Sequence, residues 1–98
     1  MDLTKEYNEK DLTITVKGKI DTITSPDFEN EIIDEMGKFD SLIIDLNDLE
    51  YISSAGLRVL ISSKKKLDSQ NIPVTIKVND TIKEIFVMSG LDKVLDIE

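Results

Sequence analysis

A chain of 98 residues supports one hydrophobic core, so residues 1–98 are read as a single domain. Its 40% hydrophobic and 33% charged residues give a globular balance, and a net charge of −8 repels phosphate backbones and anionic lipid, which argues against nucleic-acid and membrane partners. Cysteine and histidine are both missing. That removes disulfides, a thiolate nucleophile, the commonest general base and the commonest transition-metal ligand, so no metal or cofactor is expected.

From the N-terminus, residues 2–7 and 11–18 read as two strands joined at Asn8-Glu9-Lys10. Leu12, Ile14 and Val16 alternate with Thr13, Thr15 and Lys17, the period of a half-buried strand, and the short connection makes the pair antiparallel. Ser25-Pro26 suits the opening of a helix, with serine as N-cap and proline first inside. Phe28, Ile32 and Met36, widened by Ile33, form its apolar stripe, and Gly37 is its stop. Residues 41–46 follow as a strand whose apolar run predicts cover on both faces. A turn at Asn47-Asp48 leads through Leu49–Ile52 to a helix starting at Ser53 or Ser54, with Leu57, Leu60, Ile61 and Leu67 on one side.

Pro73–Val78 alternates as a strand, and Asn79 caps a third helix carrying Ile82, Ile85 and Phe86 inward. Gly90 is a helix stop, and Val94–Ile97 reads as a last short strand. The predicted order is β-β-α-β-α-β-α-β, an α/β domain with a mixed sheet. No run reads as a signal-peptide core or a membrane span, and the composition fits a cytoplasmic monomer.

Few residues offer chemistry. A serine nucleophile without histidine needs a nearby lysine or carboxylate, and Lys64 lies ten residues from Ser54 along the same helix, roughly 15 Å of rise. Asp45, Asp48 and Glu50 have the spacing of turn and surface residues rather than of a metal site. The four glycines are isolated, so no phosphate-binding loop is present. The informative segment is Tyr51-Ile52-Ser53-Ser54-Ala55-Gly56-Leu57. Small residues at a helix start leave the backbone approachable, and Gly56 costs the helix roughly 1 kcal/mol against alanine, which close approach by another protein would explain. On composition alone the serine pair also fits a simple N-cap.

Taken together, Gly18-Lys19-Ile20-Asp21, Thr24-Ser25-Pro26, Leu49 to Leu60 and Phe86 to Leu91 resemble the STAS domain of bacterial anti-sigma factor antagonists. The resemblance runs over essentially the whole chain. It implies a non-enzymatic binding module that, unmodified, binds an anti-sigma factor serine kinase and so releases a sigma factor. It also implies phosphorylation by that kinase, ending the binding, and restoration by a serine phosphatase. The acceptor maps onto Ser54, with Ser53 the alternative, because many members carry aspartate where Ser53 stands. Asp21, Ser53, Ser54, Ala55, Gly56 and Arg58 are the implied partner surface. A STAS adaptor working without phosphorylation is the other reading of the same likeness, and a receiver phosphorylated on Asp45 is the reading from a different class.

Overall fold

The computed structural model describes residues 1–98. β1 (Asp2–Asn8) and β2 (Asp11–Ile20) form the expected antiparallel hairpin, in which Asn8 pairs with Asp11 across Glu9-Lys10. β2 then serves two further partners. Its first half pairs in parallel with β3 (Ser41–Leu46), and its last residues pair in parallel with β4 (Leu49–Ile52). The ladder with β4 itself shifts register at Gly18/Lys19, where Gly18 has φ of +86°. β5 (Val74–Val78) completes the order β1-β2-β3-β5 by pairing with β3.

Three helices alternate with these strands: α1 (Ser25–Ile33), α2 (Ser54–Asp68) and α3 (Asp80–Met88). The α/β class, the mixed sheet and most of the predicted order are as expected, with several corrections, among them that α1 ends at Ile33, short of the Gly37 stop. Leu49–Ile52 is a strand, not a connector. β3 is covered on one face only: Leu42, Ile44 and Leu46 are buried, while Ile43 and Asp45 stay half-open. Ile33, assigned to the α1 stripe, is exposed. The last strand expected at Val94–Ile97 is reduced to an isolated bridge between Ile97 and Ile76 of β5, with Ile76 N–H to Asp96 O (2.8 Å), Glu98 N–H to Ile76 O (2.9 Å) and Val78 N–H to Glu98 O (3.1 Å).

The same one-sided burial holds in β2 and β5, where Leu12, Ile14, Val16, Val74 and Ile76 are buried between half-open neighbours. One helical layer therefore packs on one sheet face, with Phe28, Ile32, Leu57, Leu60, Leu67, Ile82 and Phe86 filling the space between. No helix is long and apolar enough to cross a membrane.

Candidate functional site

Parallel strands deliver all three helix starts to one edge of the sheet. β2 ends at Ile20 and turns into α1; β4 ends at Ile52 and enters α2; β5 ends at Val78 and enters α3. The carboxyl ends of parallel strands are where α/β domains present exposed, approachable backbone.

At the start of α2 the two serines divide their roles. Ser53 is the N-cap, extended at ψ of 170°, and its Oγ accepts from Gly56 N–H (3.2 Å). Its own N–H donates to Ile20 O (2.8 Å), tying the cap to the end of β2, and the residue is buried. Ser54 is the first helical residue and is exposed, with its hydroxyl engaged by no protein group. The N–H groups of Ser54 and Ala55 also lack an acceptor within the chain, as the first amides of a helix do. Ser54 therefore combines access with positive local potential.

Gly56 answers to the core rather than to the surface. A Cβ there would lie 2.8 Å from Ile20 Cγ2 and 2.8 Å from Ile52 Cγ1. The glycine lets α2 sit directly on the ends of β2 and β4; it is buried and supports the site from beneath.

Asp21 and Thr24 form a reciprocal cap at the entry to α1. Thr24 N–H donates to Asp21 Oδ1 (2.8 Å), and Asp21 N–H donates to Thr24 Oγ1 (2.9 Å). Ile23 N–H adds a third bond to Oδ1 (3.0 Å). The Thr24 amide, then its hydroxyl, hold the Asp21 carboxyl below its ordinary range, with Ile23 N–H and the chain's amino terminus assisting against partial desolvation. Asp21 O takes both Ser25 N–H (2.9 Å) and the Ser25 hydroxyl, so Ser25 lies buried inside the helix and Thr24 occupies the cap position predicted for it. Pro26 has no N–H to continue this first turn, which suits a position one step inside.

Between α1 and α2 runs an open groove of about 350 Å³ lined by Thr22, Ser25, Pro26, Glu29, Ala55 and Arg58, among others. It brings the Asp21–Thr24 turn and the first turns of α2 onto one surface. Arg58 is exposed and joins no ion pair. Of the implied partner residues, Ala55 and Arg58 line this groove, Ser54 is exposed at the start of the same helix and Asp21 is half-buried in the turn beside Thr22, while Ser53 and Gly56 are buried.

Sequence reasoning passed over two contributors. Ile23, at the tip of the turn, is 85% exposed. Asn79 caps α3 through Oδ1 to Ile82 N–H (2.8 Å), and its amide donates to Asn47 O (2.8 Å) and Leu49 O (2.9 Å), fixing the entry to β4. Only its capping role was visible as a helix-start signal. Lys64 is directed elsewhere, to Asp68 (3.0 Å) and Asp96 (3.5 Å), and its bond to Asp68 above all holds it more firmly protonated. That is the opposite of what activating a serine requires.

The STAS domain profile matches residues 2–98 of this two-layer α/β domain. The chain belongs to this family. It is 25% identical over 93 residues to the anti-sigma-B factor antagonist of Bacillus subtilis, covering 94% of this chain and 85% of that protein. A crystal structure of an anti-sigma factor antagonist from Mycobacterium paratuberculosis superposes with a TM-score of 0.88 at 24% identity, over 98% of this chain and 83% of that one. The Bacillus cell fate determinant SpoIIAA in its phosphorylated form has the same fold, with a TM-score of 0.77 at 16% identity over 99% and 91% of the two chains.

Proposed function

We propose that this protein is an anti-sigma factor antagonist whose binding is switched by phosphorylation of Ser54. One observation carries the residue assignment: of the two adjacent serines, Ser53 is buried and used as the cap, while Ser54 offers an exposed, unengaged hydroxyl. The antagonist role is supported by membership of the STAS family and by likeness to antagonists along most of the chain. That a protein of this fold exists in a phosphorylated form supports the switch.

Unmodified, the surface formed by the Asp21–Thr24 turn, Ser54, Ala55 and Arg58 docks on an anti-sigma factor serine kinase in the cytoplasm and frees a sigma factor. The kinase transfers the terminal phosphoryl group of ATP to Ser54 Oγ; ADP leaves and the hydroxyl proton is lost. Up to two negative charges then stand in the middle of the docking surface, while the fold beneath is undisturbed because Ser54 bears no structural bond. A serine phosphatase reverses the step by hydrolysis. ATP and its metal belong to the kinase, and the antagonist catalyses nothing.

Calorimetric titration of the anti-sigma factor kinase from the same genome with three forms of the protein tests this reading. Unmodified chain and Ser54→Ala should bind, and chain carrying phosphoserine at position 54 should bind at least tenfold more weakly. Equal binding by all three would refute the switch and leave an adaptor that works without phosphorylation.

A further inference from the structure

We propose that Arg58 receives the phosphate of Ser54, so that modification both adds negative charge and withdraws the one free cation from the docking surface. This rests on the assignment of Ser54 as acceptor and specifies how the same site is regulated.

Arg58 follows Ser54 by four residues on α2, which places the two on one helix face with Cβ atoms roughly 5–6 Å apart. Long side chains on a helix lean toward its N-terminus, so the Arg58 guanidinium tends back over the Ser54 position. In the unmodified protein it is uncommitted. All ion pairs of the domain use Lys5 or Lys64, and Arg58 enters no hydrogen bond. Glu29 lines the same groove from α1 but is not paired with it. Lys19 stands at the same sheet edge but next to Ile20 on β2, so it projects from the face opposite the one α2 covers. Of these two cations Arg58 is the one that shares the helix face of Ser54, and a guanidinium grips phosphate oxygens in pairs.

Such capture changes what a partner meets. An exposed arginine and a hydroxyl become a closed, net negative pair. The phosphate is also held against the helix, where the unpartnered amides of Ser54 and Ala55 already favour it.

The test uses full-length chain with phosphoserine installed at position 54 by genetic encoding, in wild-type, Arg58→Gln, Arg58→Lys and Lys19→Gln forms. Phosphorus NMR follows the phosphate through pH 4–8. With Arg58 present, its second ionisation should fall below the ordinary value of about 6. In Arg58→Gln it should rise by about half a pH unit, a roughly threefold change in proton affinity. Arg58→Lys should recover part of the shift, and Lys19→Gln should leave it in place. Glu29 is the carboxylate lining the groove, Asp21 is turned onto the Ile23 and Thr24 amides of the neighbouring turn, and both are common to every form, so they cancel in the comparison. An unchanged ionisation in Arg58→Gln, or an equal rise in Lys19→Gln, overturns the proposal. Because the phosphate is installed directly, neither result depends on which serine a kinase selects. Failure of the acceptor assignment would show separately, as labelling at another residue.

Discussion

Replacing Gly56 with alanine sets two physical effects against each other, and the structure decides between them. Alanine improves helix propensity by roughly 1 kcal/mol, less in a first turn where the helix is only partly formed. The added methyl would lie 2.8 Å from both Ile20 Cγ2 and Ile52 Cγ1, and 3.3 Å from Ile52 Cδ1. Ordinary carbon contacts begin near roughly 3.5 Å, so α2 must lift by more than half an ångström or two β-branched side chains must leave their rotamers. Overpacking of that kind costs typically 1–3 kcal/mol. The expected net effect is a loss of about 1–2 kcal/mol, read as a lower urea midpoint at unchanged slope and a melting temperature lower by roughly 4–16 °C. Truncating a neighbour in the same background supplies the control: in Ile52→Ala, Gly56→Ala should cost measurably less, a coupling of about 0.5 kcal/mol or more. A stabilised Gly56→Ala protein would refute the packing account and return the glycine to the surface role suggested by the sequence.

Ser53→Ala should lower stability by about 1 kcal/mol through loss of the cap on Gly56 N–H, whereas Ser54→Ala should stay within about 0.5 kcal/mol of wild type in the same urea titrations. Asn79→Ala removes the α3 cap and two bonds to the β3–β4 turn, so a loss of about 2 kcal/mol or more is expected from thermal unfolding. For Asp21 the folded carboxyl titrates below its unfolded value, so its contribution is present above the unfolded pKa and is lost as pH falls through the folded one. Asp21→Asn, which keeps an acceptor but cannot titrate there, should flatten the decline of stability below about pH 4. A decline as steep as that of wild type would place the acid sensitivity elsewhere.

How much was legible in the sequence depended on whether burial followed a simple period. The hairpin, β5 and the Phe28–Ile32 pair announce themselves because alternate or fourfold positions are buried. β4 hides: its buried residues are Leu49 and Ile52 with two exposed residues between them, a pattern of no strand period in an element only four residues long. In β3, Ile43 makes the run look buried on both faces, although the helices occupy only one side of the sheet. Ser25-Pro26 fits a cap and first-turn rule, yet the N-cap is Thr24, one residue earlier, because the Asp21–Thr24 exchange holds the preceding turn. At the site, the sequence brought the serine pair forward but could not rank its members. Which serine points inward depends on the bond from Ser53 N–H to Ile20 O, a contact between residues 33 positions apart in sequence. Remoteness in sequence likewise conceals the role of Gly56, because its neighbour Ile20 comes from β2 although Ile52 lies just ahead of it on β4.

The central claim is that the free hydroxyl at the tip of α2 takes the phosphate. Peptide mass spectrometry after incubation with ATP and the anti-sigma factor kinase of the same genome measures this directly, on wild type, Ser53→Ala and Ser54→Ala in parallel. The account predicts a single added phosphate on the peptide containing Ser54, retained in Ser53→Ala and absent from Ser54→Ala. Phosphate that persists in Ser54→Ala, or that vanishes only in Ser53→Ala, would contradict it.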